Sequence, residues 1–198
     1  MIYELIHEEN MNVLGISGSL RQKSWNTGLL RAAAGMAPVG MTIEVFDLSA
    51  IPMYNADNDG ATMPSVVKEF KSRIASSDAL LLATPEYNYS VPGVLKNAID
   101  WASRSPKDSP LNGKPIALMG AGGVMGTVRA QLHLRQILLH NGTLILPKPE
   151  VYIGRGWEKF DAEGNLIDEN SKKQILALLE ALQGWILRVN PKIHSTGE

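Results

Sequence analysis

The sequence predicts an α/β three-layer sandwich: a five-stranded parallel sheet, order 2-1-3-4-5, with helices on both faces. Three observations predict it. Short apolar or β-branched runs alternate with longer stretches of helical periodicity along nearly the whole chain. The run from Asp78 to Thr84 (DALLLAT) is apolar without alternation, the mark of a strand covered on both faces. Polar or glycine-rich connections follow the first, third and fourth predicted strands, where ligands sit beyond the carboxyl ends of such a sheet.

Each element has a local reason. Val13 to Ile16 is a short buried-strand pattern, and Asn26 to Met36 follows as a helix with Leu29, Leu30, Ala33 and Ala34 on one face. Met41 to Leu48 (MTIEVFDL) alternates with the strand period of two. Pro64 suits a helix's first turn, and Val66, Val67, Phe70 and Ile74 continue at helical spacing. Asp78 to Thr84 is the third strand. Pro92 opens the next helix, with Val94, Leu95, Ala98 and Ile99 inward. Pro115 to Met119 is the fourth strand, Thr127 to Leu139 a helix, Thr143 to Leu146 the fifth strand, and Ser171 to Val189 a final amphipathic helix. Strands alternating with crossover helices give a parallel sheet.

Composition sets the outer bounds. The chain has 198 residues, 44% hydrophobic and 20% charged, which suits one soluble domain over 11–190. Residues 1–10 read as an N-terminal extension and 191–198 as a C-terminal tail. The first ten residues hold Glu4, Glu8 and Glu9 and no Lys or Arg, so they do not read as a secretory leader. No apolar run approaches the roughly 18–20 residues of a membrane span, and a cytoplasmic protein is expected. A net charge of -1 argues against a nucleic-acid partner. With no cysteine, thiolate catalysis, Cys-ligated zinc and iron–sulfur clusters are excluded. His133 and His140 stand two turns apart on one helix, and His7 and His194 lie near the chain ends, so no metal site is expected. No G-x-S-x-G elbow supports a serine hydrolase.

Three loops carry the chemistry. Ser17 to Asn26 (SGSLRQKSWN) joins the first strand to the first helix. Its hydroxyls, its cations and the helix N-terminus make a socket for one terminal phosphate, with an N-cap at Ser24 or Asn26 as the plain alternative. It is not a Walker A loop, because no Gly-Lys-Ser/Thr closes it. Pro85 to Gly93 (PEYNYSVPG) follows the most apolar strand and offers ring surface at Tyr87 and Tyr89, with a donor and acceptor at Asn88. Gly120 to Gly126 (GAGGVMG) echoes a dinucleotide fingerprint but has Met125 within it and no acidic residue at the usual later spacing. It reads better as a small-residue loop that lets a planar ring approach. The loop from Met53 to Gly60 is a surface turn or an arm toward a partner subunit. Trp101 and Trp185 read as core or subunit interface.

Three segments, Gly18-Ser19-Leu20-Arg21 with Ser24 and Asn26, Thr84 to Gly93, and Leu95 to Trp101, resemble the NADPH-dependent FMN reductase family of flavodoxin-like proteins. The resemblance runs from about Met11 to about Val189. It implies that Ser17, Ser19, Arg21, Ser24 and Asn26 hold the FMN phosphate. Pro85, Glu86, Tyr87 and Asn88 would line the isoalloxazine, and Gly120, Ala121, Gly122 and Gly123 would border it. Glu86 is expected to act structurally or through its backbone. Trp25 departs from the family in detail, and is expected to leave the phosphate contacts alone and alter the pocket rim. The implied activity is an NAD(P)H:acceptor oxidoreductase. It would reduce quinones, and also chromate, azo dyes or other acceptors, by ping-pong hydride transfer. FMN supplies the chemistry, and Tyr87 and Asn88 are the candidate catalytic side chains. NADPH or NADH is the donor, with Arg21, Arg104 and Lys107 as candidate partners for a 2′-phosphate. A homodimer or homotetramer is implied. The alternative is a flavodoxin-like electron carrier or flavin-binding regulatory protein.

Overall fold

The computed structural model describes residues 10–189, so residues 1–9 of the extension, the tail, His7 and His194 lie outside the described residues. Strands β1 (Met11–Ser17), β2 (Met41–Phe46), β3 (Ala79–Ala83), β4 (Pro115–Ala121), β5 (Leu144–Ile145) and β6 (Val151–Ile153) form one sheet. The path is β2-β1-β3-β4-β5, every pairing is parallel, and β6 also pairs with β4. Helices α1 (Trp25–Gly35), α2 (Ser65–Ser76), α3 (Gly93–Ala102) and α4 (Val128–Leu139) supply the crossovers, and with α5 (Glu169–Val189) they cover both faces.

Alternation along the central strands sorts the core into two layers. In β3, Ala79, Leu81 and Ala83 point to the α1 and α5 side, where they meet Leu29, Leu30, Leu178 and Leu182. Leu80 and Leu82 point the other way, toward Phe70, Leu95, Trp101 and Leu134 of α2, α3 and α4. Both sets are buried, which is why DALLLAT lacks a polar face. Trp101 is fully buried, and its indole N–H donates to the Pro52 carbonyl at 2.8 Å. Trp185 is half-buried and donates to the Leu144 carbonyl at 2.8 Å.

The fifth strand position differs from the sequence reading. Thr143 to Leu146 contributes only two residues of strand, pairing at Pro115 and Ile116. The chain then leaves the sheet through Pro147, Lys148 and Pro149. It returns as β6, which pairs with Met119 to Ala121 farther along the same edge. Proline carries no N–H for a ladder, so the two prolines break this edge strand in two. The 154–168 segment after β6 folds back over α1. Arg31 reaches it, donating to the Gly164 carbonyl at 2.9 Å and to Asn165 at 3.1 Å.

Candidate active site

The β1, β3 and β4 loops all leave the carboxyl edge of the sheet, and they converge. A cleft of about 270 Å³ is lined by Ser19, Arg21, Ser24, Trp25 and Asn26, by Pro85, Glu86 and Tyr87, and by Ala121, Gly122 and Gly123. Eleven of its lining residues thus come from the three segments singled out by sequence. Of the site residues expected there, Ser17, Asn88 and Gly120 are not on its wall.

The β1 loop forms the polar end. Ser24 is the N-cap of α1, and its hydroxyl accepts from the Thr27 N–H at 3.4 Å. The Gly28 N–H donates to the Ser24 carbonyl, opening the helical ladder. The Trp25 and Asn26 N–H groups precede that ladder, where helix geometry gives them no intrahelical acceptor. Together with the helix dipole they favour an anion. Ser17 braces the loop from beneath: its hydroxyl accepts from the Ser19 N–H at 3.2 Å and from the Thr27 hydroxyl at 2.9 Å. Asn26 is 3% exposed and its amide is engaged across the sheet top. It donates to the Ala121 carbonyl and accepts from the Ala121 N–H, both at 3.0 Å, tying α1 to the end of β4. Its side chain therefore fixes the distance between two cleft walls. Arg21 is exposed, with its guanidinium 5.5 Å from the Trp25 ring centroid.

The β3 loop is a strained turn. Tyr87 and Ser90 exchange two backbone hydrogen bonds of 3.0 Å, and the residues between them, Asn88 and Tyr89, both have left-handed backbone. For non-glycine residues this costs about 1–2 kcal/mol each. Anchors surround the turn. The Glu86 carboxylate, whose side chain is 7% exposed, accepts from the N–H groups of Arg129 (3.0 Å) and Ala130 (3.2 Å) and from the Arg129 guanidinium. The Arg129 guanidinium also lies 3.7 Å from the Tyr89 ring centroid. The Ser90 hydroxyl and His133 Nδ1 are 3.0 Å apart. Glu86 thus caps α4 from a distant segment, since Thr127 at the N-cap position makes no side-chain cap bond. The Glu86 carboxylate, and not only its backbone, is thus engaged in holding the loop to α4. One consequence is that the first turn of α4 is already occupied by an anion, while that of α1 is open.

The glycine loop forms the third wall. Gly122 N–H donates to the Ile153 carbonyl, and the Arg155 and Gly156 N–H groups donate to the carbonyls of Gly123 and Gly122. Gly120 lies beneath the wall, where a Cβ would run into Thr127 and the Thr84 carbonyl. The pairing of this loop with 153–156 depends on β6, whose three-residue run between Pro149 and Gly154 was too short to read as a strand. In the Met53 to Gly60 loop, the Tyr54 ring stands edge-on to Trp101, with centroids 4.9 Å apart.

The two other candidate phosphate partners stand elsewhere. Arg104 follows the C-terminus of α3 and rests 4.8 Å from the Tyr54 ring centroid, and Lys107 comes after it. The ten residues of α3 carry them about 15 Å down the molecule from the β3 loop. A second groove, of about 480 Å³, runs between α3 and α4 on the flank. It is larger than the cleft, but it lacks a helix N-terminus and the glycine loop. Among the described residues no group of three or more His, Cys, Asp or Glu side chains gathers to hold a metal ion, and no helix is long and apolar enough to cross a membrane.

Comparison with known proteins agrees with this geometry. Residues 11–158 match the model of the family described as NADPH-dependent FMN reductase. The chain is 50% identical over 182 residues to an NAD(P)H-dependent FMN reductase of Pseudomonas aeruginosa, covering 91% of this chain and 98% of that one. It is 39% identical over 185 residues to a quinone reductase of Escherichia coli K12, covering 91% and 98%. Among solved structures it is similar to FerB, a flavoenzyme NAD(P)H:(acceptor) oxidoreductase from Paracoccus denitrificans. There the TM-score is 0.80 at 37% identity, over 90% of this chain and 98% of that one.

Proposed function

The chain belongs to the NADPH-dependent FMN reductase family, and on that premise we propose that it is an FMN-dependent NAD(P)H:quinone oxidoreductase. The observation that carries this reading is the polarity of the single three-walled cleft. One end offers an open helix N-terminus, two serine hydroxyls and the Arg21 guanidinium, which forms no ion pair among the described residues. The other is flat and small, built from Pro85, Tyr87, Ala121, Gly122 and Gly123. That donor set fits a molecule with one phosphate and one planar ring system, and supplies no second anion site for a dinucleotide. FMN, when bound, supplies two-electron chemistry, accepting hydride from the nicotinamide and passing reducing equivalents to the acceptor.

The protein's part is binding and orientation. Ser19, Arg21, Ser24 and the first N–H groups of α1 hold the phosphate. Asn26 and Ser17 keep that socket in register with β4. The Glu86 clamp holds the β3 loop against the ring face. Tyr87, 53% exposed at the mouth, gives a stacking surface to nicotinamide or quinone. Asn88 adjoins Tyr87 but lies off the cleft wall, and it is proposed as the polar side chain beside the reacting edge once the ring is bound. A single open mouth favours alternate occupancy by donor and acceptor, hence ping-pong kinetics. Chromate and azo dyes are proposed as further acceptors of the same open site. Of the three cations considered for a 2′-phosphate, only Arg21 borders the cleft.

Tyr87, Tyr89, Val124 and Met125 are exposed on loops at this edge. We propose that a second copy of the chain covers them, as a homodimer or homotetramer, because covering the ring would exclude water. A cytoplasmic enzyme fits the use of NAD(P)H. The deciding experiment combines cofactor identification with turnover. Acid release should yield FMN, and purified protein should consume NADPH steadily with a benzoquinone, giving parallel double-reciprocal plots. Release of FAD, or a yellow protein without turnover, would overturn the proposal.

A further inference from the structure

We infer that Trp25 is a positioning residue for the phosphate socket, holding Arg21 in place from a platform built by the 154–166 segment. The inference rests on the FMN reading above. The family resemblance implies only a change at the pocket rim for Trp25.

Trp25 is the first residue of α1 and lines the cleft beside Ser24. Its indole is packed from behind. Phe160 stacks on it, with ring centroids 5.8 Å apart and planes 19° from parallel. Gly156 lies so close that a Cβ there would enter the six-membered ring of the indole. Gly156 is fixed in turn, because its N–H donates to the Gly122 carbonyl at 2.9 Å. The 154–166 segment is tied to the β1 loop and α1 by Lys23 with Glu163 (3.0 Å) and by Arg31 with Gly164 and Asn165. The indole therefore has little freedom of its own.

Arg21 has the opposite character. It is exposed, and among the described residues it forms no ion pair; its guanidinium contact is the Trp25 ring at 5.5 Å. A long unpaired side chain surrenders rotamer entropy when it binds an anion. Resting on a fixed aromatic face, it has surrendered part of that beforehand, so the phosphate meets a preorganised cation. Exposed cation–π contacts correspond to roughly a two- to fivefold effect on affinity.

The test is a double-mutant cycle on FMN binding to apoprotein, read by flavin fluorescence. Trp25→Leu should weaken FMN binding about two- to fivefold, and Trp25→Phe should restore most of it. In an Arg21→Ala background, Trp25→Leu should change the dissociation constant by less than about 1.5-fold. Equal losses with and without Arg21 would overturn the inference, because Trp25 would then act independently. A second readout needs no flavin. In apoprotein labelled at arginine, the Arg21 Nε–H resonance should carry a ring-current shift that Trp25→Phe reduces and Trp25→Leu abolishes. An unshifted resonance in the parent protein would sink the Trp25 inference alone. Failure of the parent to bind FMN, with that shift present, would instead sink the FMN reading. Should Trp25→Leu fail to fold, the ring-current readout carries the test alone: Trp25→Phe should shrink the Arg21 shift, and an undiminished shift would overturn the inference.

Discussion

Replacing Glu86 by alanine should destabilise the protein far more than a loop position normally does. The carboxylate is buried at 7% side-chain exposure and satisfies two N–H groups in the first turn of α4. Thr127 makes no side-chain cap bond, so nothing stands ready to replace it. Loss of a helix N-cap costs about 0.5–2 kcal/mol. The Arg129 guanidinium also loses its acid, but at 40% exposure it can turn to water. That adds about 1 kcal/mol, well short of the roughly 3–5 kcal/mol for breaking a fully buried pair. The sum is about 1.5–3 kcal/mol. In a domain of this size each kcal/mol moves the melting temperature by about 2–4 °C, so Glu86→Ala should melt roughly 3–12 °C lower. Glu86→Gln keeps one acceptor oxygen and should lose about half as much. Apoprotein melting followed by circular dichroism measures both, and amide exchange at Tyr87 and Ser90 reports whether the turn loosens with the clamp. A Glu86→Ala melting point within about 1 °C of the parent would refute the capping argument.

Other expectations follow from the same geometry. Arg21→Ala should weaken FMN binding by about 1.5–3 kcal/mol, roughly one to two decades, because it removes a charge-assisted bond to phosphate; an unchanged dissociation constant at physiological salt would exclude that role. Asn88→Gly keeps the left-handed backbone while deleting the side chain, and Asn88→Ala deletes the side chain and opposes the backbone. Stopped-flow hydride transfer slowed equally in both assigns the effect to the side chain, whereas slowing in Asn88→Ala alone assigns it to the turn. Asp168 is held down to about 2, first by the Lys159 ammonium, then by the hydroxyl and N–H of Ser171 at the start of α5. A depressed folded-state value stabilises above the unfolded carboxylate range and fades as pH falls from about 4 to about 2; allowing for solvent screening, the contribution is about 1 kcal/mol. Asp168→Asn should therefore lower the urea midpoint at pH 7 and match the parent near pH 2. Sedimentation velocity tests the proposed assembly, and a fully active monomer would end it.

The fold was legible because its signals are local. The bare apolar run of β3, the alternation of β2 and the prolines opening α2 and α3 each fix an element from a few neighbouring residues. The fifth strand was less so. Thr143 to Leu146 carries the right residue types, but the break at Pro147 and Pro149 and the return at Val151 divide one sheet edge between two short runs. Neither half is long enough to show a period. Those prolines were the available signal, and Val-Tyr-Ile between Pro149 and Gly154 was its counterpart.

The site divides along the same line. Which loops form it follows from topology, since the β1, β3 and β4 loops must emerge together at the carboxyl edge of a parallel sheet. Which atoms face the cleft does not, because that is decided by partners far away in sequence. Asn26 borders the cleft, and Ala121, 95 residues on, takes both ends of its side-chain amide. Glu86 also lines the cleft, while the first turn of α4, 43 residues on, claims its carboxylate. The two cases share a cause. A helix start and a strand end carry unpaired backbone groups that must be satisfied wherever they are buried, and side chains at the sheet top are nearest to them. Asn26 and Glu86 meet that demand and in doing so fix the distance between walls, and in the proposed function it is Ser19, Arg21, Ser24 and the start of α1 that meet the anion.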